Sequence, residues 1–85
     1  MMLPTIHANQ VLRDEFVCPI TQELMFDPVI AADGHTYDRS AIQRWLTNHD
    51  TSPKTGKKLD HLNLVENHNL KRLIDDLVQE VVGLV

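Results

Sequence analysis

The clearest hydrophobic pattern lies near the end of the chain and predicts a helix that begins around Asn67 or Asn69. Apolar side chains recur there at the spacing of one helix face, and either asparagine can cap the first turn. The apolar positions are Leu70, Leu73, Ile74, Leu77, Val78, Val81 and Val82. We expect this stripe as far as Leu77 to close the domain core, and a homodimer contact through the same helix is the alternative.

A second amphipathic stretch predicts a shorter helix in the middle of the chain. Asp38 offers a side-chain cap, as does Ser40 with Gln43 three residues later, and the helix is expected to run to about His49. Its apolar positions are Ala41, Ile42, Trp45 and Leu46. This spacing is typical of a helix that packs with one face on a core.

A β-hairpin is predicted just before that helix. Asp33 and Gly34 stand between two short apolar runs, at 29–31 and 35–37. Asp-Gly in this setting favours a tight turn, because glycine adopts a positive φ with little strain.

Two further segments, 16–28 and 50–60, have no periodic pattern and contain proline or glycine, so they are interpreted as ordered loops. The leucines at 59, 62 and 64 are spaced for a short extended piece or a turn. The resulting order of loop, hairpin, helix, loop and helix predicts a small α+β fold.

Eighty-five residues correspond to one domain. We place this domain at residues 14–78, with an N-terminal extension or short helix at 1–13. Residues 79–85 are interpreted as the end of the last helix, and their apolar finish is expected to be a cut within a longer protein. A chain this short buries only about 60–65% of its unfolded surface, so its stability is expected to be marginal without an added staple.

Charge and composition exclude several classes of function. The net charge of −4 argues against nucleic acid as the main partner, because phosphate binding needs a basic face. No apolar run reaches the roughly 18 residues of a membrane span, and the first ten residues do not have the pattern of a signal peptide. The single cysteine can form neither an internal disulfide nor a Cys₄ or Cys₃His zinc site, which indicates the cytosol or nucleus.

A series of short motifs in fixed order resembles the U-box family of ubiquitin ligases over roughly residues 14–78. No single motif would suffice, but their common order and spacing are specific. The motifs are Cys18-Pro19-Ile20-Thr21, Glu23-Leu24-Met25, Asp27-Pro28-Val29, Gly34, Thr36-Tyr37-Asp38-Arg39, Ile42, Trp45-Leu46, Pro53, Thr55 and Leu59, followed by Leu64, Asn67, Leu70, Lys71, Leu73 and Ile74.

The resemblance implies a RING-like fold without metal or cofactor, in which hydrogen bonds and salt bridges hold two loops around a central helix. It implies that Cys18 is a small buried hydrophobe with a weak S–H donor. Glu23, Asp38 and Arg39 are assigned to the polar network that braces the loops. Replacing Arg39 with alanine is therefore expected to destabilise more than Cys18→Ser, by leaving a buried carboxylate unpaired.

The resemblance further implies an E3 ubiquitin ligase that binds a ubiquitin-charged conjugating enzyme. A substrate lysine attacks the thioester on that enzyme, and the domain itself forms no covalent intermediate and supplies no catalytic residue. It contributes proximity and a reactive geometry. The implied partners are the conjugating enzyme, ubiquitin and a protein substrate, with neither nucleic acid nor membrane.

The docking surface of the family is a shallow apolar groove, which suits the rigid anchors of a weak interface. The residues that match it are Ile20, Trp45 and Pro53, with Gln22 as a polar residue at the rim. Many members also carry a cation after the second loop that contacts both enzyme and ubiquitin, and Lys57 and Lys58 are the candidates here. The chain departs from the family in having Thr51-Ser52 before the proline, and we expect hydroxyl hydrogen bonds to hold that loop.

Other functions remain open beside the ligase. The main alternative is a non-catalytic U-box-like module that binds a substrate or partner protein through the same groove. A nucleophilic Cys18 is disfavoured because no histidine or asparagine is near it in sequence, and the five histidines fit no zinc-ligand spacing. The expected location is cytoplasm or nucleus, or the host cytoplasm if the parent protein is a bacterial effector.

Overall fold

The computed structural model describes residues 14–83, and in this range the secondary structure follows the predicted order with one additional strand. The elements are a 3₁₀ turn at Asp14–Phe16, β1 at Pro28–Ile30, β2 at Thr36–Asp38, α1 at Arg39–Leu46, β3 at Val65–Glu66 and α2 at His68–Gly83. The small α+β fold is thus confirmed. The extension or short helix predicted for residues 1–13 lies outside the described residues.

The strands form an antiparallel sheet in the order β2-β1-β3. In the predicted hairpin Val29 lies opposite Tyr37, and the turn is closed by the Gly34 N–H, which donates to the Ala31 carbonyl at 2.9 Å. Gly34 has a φ of 82°, the left-handed conformation that the Asp-Gly pair predicts. β3 pairs with the other edge of β1 and was not predicted, because both of its residues are exposed and carry no hydrophobic pattern.

α1 begins directly after Asp38, as predicted, but the Asp38 side chain makes no capping hydrogen bond. Its Oδ1 instead accepts a hydrogen bond from the Asp27 N–H at 3.0 Å. The helix ends at Leu46 and not at His49 as predicted. Thr47 terminates it, because both its N–H and its hydroxyl donate to the Arg44 carbonyl, at 3.2 and 2.6 Å.

Asn67 caps α2, as one of the two predicted caps. Its Oδ1 accepts a hydrogen bond from the Leu70 N–H at 3.2 Å, and its Nδ2 donates to the Thr36 hydroxyl at 3.1 Å. Its own N–H donates to the Pro28 carbonyl at 2.9 Å. One side chain therefore starts the helix and ties it to both strands of the hairpin.

The core lies between the sheet, α1 and α2. Its buried members are Phe16, Cys18, Met25, Val29, Ala31, Tyr37, Ala41, Ile42 and Ile74. The prediction for the α2 stripe holds for Ile74, which is fully buried, and fails for Leu73, which is 52% exposed. Leu70 and Leu77 are half-buried. Neither described helix is long and apolar enough to cross a membrane.

Candidate functional site

The first loop, residues 17–24, is a small hairpin whose two ends pair as an antiparallel bridge. Inside it the Cys18 N–H donates to the Glu23 carbonyl at 2.9 Å, and the Gln22 N–H donates to the Cys18 carbonyl at 2.8 Å. Gln22 has a φ of 65°, unusual for a residue other than glycine, and its side-chain amide donates to the Pro19 carbonyl at 3.2 Å. Backbone hydrogen bonds therefore set the shape of this loop.

Cys18 joins the first loop to the start of α1. Its side chain is fully buried, and its Sγ accepts a hydrogen bond from the Asp38 N–H at 3.4 Å. The sulfur acts here as an acceptor, whereas the resemblance implied a donor. Complete burial also argues against a nucleophilic role, because a thioester would have to reach the sulfur.

Asp27 is the acceptor around which the charged part of this network is built, a role that its motif, Asp27-Pro28-Val29, did not predict. Its Oδ2 pairs with Arg39 Nε at 2.8 Å, and its N–H donates to Asp38 Oδ1 at 3.0 Å. The hydrogen bond to Asp27 raises the pKa of Arg39. Side-chain exposures of 35% for Arg39 and 46% for Asp27 show that the expected buried carboxylate is in fact partly exposed.

Glu23 does not join this network through its side chain. The residue is exposed, and its carboxylate makes no hydrogen bond or ion pair within residues 14–83. Its contribution is the backbone carbonyl that accepts from Cys18. The resemblance implied that the Glu23 side chain braces the loops, whereas in the structure its backbone carbonyl does so.

The second loop, residues 50–59, is organised by Ser52. Only 2% of this serine is exposed, and its hydroxyl oxygen accepts hydrogen bonds from the Lys54 and Thr55 N–H groups at 3.1 Å each. Its own N–H donates to the Lys57 carbonyl at 2.8 Å, closing a turn that contains Gly56 at a φ of 76°. The expectation that hydroxyl hydrogen bonds hold this loop is confirmed for Ser52.

Asp33 connects the second loop to the hairpin. Its Oδ2 accepts hydrogen bonds from the Ser52 hydroxyl at 2.6 Å and the Tyr37 hydroxyl at 2.7 Å, while its Oδ1 accepts from the His35 N–H at 2.9 Å. Burial acts to raise the pKa of Asp33, but these hydrogen bonds outweigh it and bring the pKa below its ordinary value. Burial, followed by the bond to Asp33, raises the pKa of Tyr37.

These polar contacts hold each loop against the hairpin. Within residues 14–83, no three His, Cys, Asp or Glu side chains lie close enough together to hold a metal ion. The Cys18 sulfur accepts from the Asp38 N–H at the end of the hairpin, and the Ser52 hydroxyl donates to Asp33 in the hairpin turn, so each loop is joined to the hairpin by a hydrogen bond.

A groove of about 350 Å³ separates the first loop from α1 and the turn that follows it. Ile20 and Thr21 line one side, and Ala41, Trp45 and His49 line the other. We call it the Ile20–Trp45 groove. Both named residues are half-buried, so each contributes to the core with one part of its side chain and to the surface with the other.

The Trp45 indole is also anchored to the second loop. Its Nε1–H donates to the Thr51 carbonyl at 2.7 Å. This bond satisfies the polar end of a half-buried aromatic ring. It also makes the position of Trp45 depend on the second loop as well as on α1.

Pro53 and Gln22, the other predicted docking residues, lie together in a second hollow of about 440 Å³. Pro19, which directly precedes Ile20, also lines this hollow. The structure thus brings Ile20 together with Trp45 in the groove, and Pro53 together with Gln22 in this hollow.

The candidate cations are distributed differently from the prediction. Lys57 and Lys58 line another hollow, beside Asp33 and Ser52. The basic side chain that shares the hollow of Pro53 is Lys54, and Arg44 lines the Ile20–Trp45 groove. Lys54 and Arg44, and not the two lysines that the resemblance indicated, therefore line the hollows of the predicted docking residues.

Comparison with protein families gives this geometry a context. A family model described as "U-box domain" matches residues 12–82, nearly the whole chain. The chain belongs to the U-box family. U-box domains are known as E3 ubiquitin ligase domains, and U-box proteins in general work with conjugating enzymes and substrates.

Curated U-box proteins from plants are similar to this chain at about half of the aligned positions. U-box domain-containing protein 12 of Oryza sativa is 52% identical over 69 residues, which cover 80% of this chain and 11% of the relative. U-box domain-containing protein 33 of Arabidopsis thaliana is 52% identical over 74 residues, covering 86% and 9%. The chain thus spans about a tenth of the length of these relatives, and the similarity concerns the U-box alone.

Proposed function

We propose that this U-box binds a ubiquitin-charged conjugating enzyme along the Ile20–Trp45 groove and the hollow that contains Pro53. In this proposal it promotes transfer of ubiquitin to a substrate lysine without a covalent intermediate. The observation that supports it is the groove itself. Ile20 and Trp45 come from different elements yet line one apolar surface, and each keeps part of its side chain exposed.

The bracing of the loops supports a role in recruitment. Ser52, Asp33 and Cys18 fix both loops before any partner arrives, so docking requires little ordering of the chain. A fixed surface of this kind can hold the charged enzyme in a restricted geometry, which raises the effective concentration of the reacting groups. The buried Cys18 takes no part in the transfer.

The proposal is tested by ubiquitin chain formation with the 85-residue chain, activating enzyme, a panel of conjugating enzymes, ubiquitin and ATP. We expect Ile20→Ala and Trp45→Ala to reduce chain formation at least about tenfold, because buried apolar anchors dominate interfaces of this type. Leu62→Ala is the matched control, since Leu62 is an exposed apolar residue that lines a different hollow. A zinc-selective chelator, added with Mg²⁺ in excess for the ATP-dependent activation step, should leave the activity unchanged.

Two outcomes would count against the ligase. Wild-type protein that is folded but silent with the entire panel would favour the alternative, a non-catalytic module that uses the groove for another partner. Equal activity of Ile20→Ala and Leu62→Ala would show that transfer does not depend on the groove. Because Trp45 also bonds to Thr51, the unfolding transition of Trp45→Ala is measured alongside its activity.

A further inference from the structure

His49 lies against Trp45 in a face-to-face stack that the resemblance to U-box proteins did not indicate. The ring centroids are 3.7 Å apart and the ring planes differ by 7°. The His49 Nδ1 is 3.0 Å from the Trp45 carbonyl oxygen. Because a carbonyl can only accept, Nδ1 carries the hydrogen, and this bond sets the orientation of the imidazole over the indole.

The stack belongs to the predicted docking face. His49 and Trp45 both line the Ile20–Trp45 groove, and His49 is itself exposed. The indole is restrained at its edge by the bond from Nε1 to the Thr51 carbonyl and on one face by the imidazole. An edge contact leaves the ring able to tilt about that bond, whereas a stacked ring prevents the tilt.

We propose that His49 is a positioning residue for the docking of the conjugating enzyme, which it favours by clamping the Trp45 indole. The inference rests on the proposed function. A half-exposed tryptophan without a stacking partner samples several orientations, and only the fraction in the docking orientation binds. Apparent affinity falls in proportion to that fraction. His49 raises the fraction of molecules whose indole has the docking orientation, and it does so without contacting the reacting atoms.

Fluorescence tests the clamp in the absence of any partner, because Trp45 is the only tryptophan in the chain. Acrylamide quenching is compared among wild type, His49→Ala and His49→Phe. We expect His49→Ala to increase quenching, since one face of the indole becomes accessible, and His49→Phe to restore the wild-type value. Gln43→Ala, an exposed position on α1 that lines another hollow, is the control and should quench like wild type.

The dissociation constant for a conjugating enzyme, together with the rate of transfer at saturating enzyme, tests the consequence for docking. His49→Ala should weaken binding about 3- to 10-fold, the range typical of an aromatic stacking contact. The saturated rate should not change, because His49 acts on docking and not on the chemistry. His49→Phe should recover most of the affinity, and Gln43→Ala should bind like wild type.

The results separate this inference from the proposed function. If Ile20→Ala loses binding while His49→Ala binds like wild type, the proposed function stands and the clamp is rejected. Failure of His49→Phe to recover affinity would also reject it, because the ring would not be the active feature. If wild type binds no conjugating enzyme, the proposed function fails and the inference fails with it.

Discussion

The two loops beside the Ile20–Trp45 groove are held by different kinds of contact. The first loop is a hairpin closed by its own backbone hydrogen bonds, and a fully buried sulfur attaches it to Asp38, the residue that precedes α1. The second loop depends on one buried hydroxyl, that of Ser52, and on one carboxylate, that of Asp33. Both loops carry predicted docking residues, Ile20 in the first and Pro53 in the second.

The difference indicates how each loop tolerates substitution. Stabilisation of the first loop is spread over several main-chain bonds that a side-chain replacement leaves intact. Stabilisation of the second loop is concentrated in a small polar cluster, in which removing one member leaves other polar groups unsatisfied. Substitutions at the second loop should therefore have the larger effects.

The largest effect is expected for Asp33→Ala. This change removes the acceptor of both the Ser52 and the Tyr37 hydroxyl groups, and two poorly solvated hydroxyls without partners cost about 2–4 kcal/mol. This destabilisation is measured as the decrease in the free energy of unfolding, obtained from urea titration. Asp60→Ala, at an exposed position of the same region, is the control. Equal stability of the two variants would show that the hydrogen bonds of Asp33 between the second loop and the hairpin do not stabilise the fold.

Ser52→Ala should follow, with a loss of about 1–3 kcal/mol, because two N–H groups of the second loop lose their acceptor and the Asp33 carboxylate loses one of its three donors. Ser40→Ala, an exposed serine on α1, should unfold like wild type. A Ser52→Ala variant as stable as Ser40→Ala would mean that the backbone alone holds the second loop.

Cys18→Ser tests the first loop and should destabilise by about 1–2 kcal/mol. The serine hydroxyl can still accept from the Asp38 N–H, but it places a more polar group in a fully buried position. Under the proposed function, ubiquitin chain formation persists in this variant at a temperature where it is folded. Complete loss of activity in a folded Cys18→Ser protein would contradict a purely structural role for the sulfur.

Arg39→Ala should destabilise less than Cys18→Ser, the reverse of the order expected from the sequence. Both Arg39 and its partner Asp27 are partly exposed, and water replaces much of an ion pair in such a position. Thermal unfolding of Arg39→Ala, Asp27→Ala and the double variant gives the coupling between the two side chains. A midpoint for Arg39→Ala below that of Cys18→Ser would restore the original order.

The smallest expected effect is on the loss of stability at acidic pH. Because the pKa of Asp33 is lower in the folded protein than its ordinary value of 3.8, proton binding favours the unfolded state. Its contribution to stability is present above pH 3.8 and is lost as pH falls through the lower, folded-state pKa. Urea titrations between neutral pH and pH 2 should therefore show a shallower acid decline for Asp33→Asn than for Asp60→Asn. Identical slopes would contradict this assignment.

Local signals predicted much of the fold. Asp33-Gly34 located the hairpin, and Asn67 located the start of α2, because both signals act on neighbouring residues. β3 was not predicted, because its two residues, Val65 and Glu66, are exposed and have no strand pattern of their own. They form a strand because they pair with the free edge of β1, more than thirty positions earlier in the chain. The end of α1 was also missed, because Thr47 competes for a carbonyl that further helical residues would have used.

The candidate site was less predictable than the fold. The resemblance identified Ile20 and Trp45, which share a groove, but Asp33 appeared only as a turn residue. Nothing local connects it to Ser52, nineteen positions later, and the contact exists only because the second loop folds back on the hairpin. His49 was assigned to the end of a helix, whereas it lies beyond the end of α1 at Leu46 and stacks on Trp45.

The side-chain amide of Asn67, which bonds to both α2 and β2, links the local opening of these two elements. Asn67 caps the first turn of α2 and is also hydrogen-bonded to the Thr36 hydroxyl and the Pro28 carbonyl. The first turn of the helix therefore cannot open unless the bonds from Asn67 to the two strands break as well. Amide protons at the helix start and in β1 should therefore exchange with deuterium in a single cooperative opening. Helix and sheet would behave as one mechanical unit.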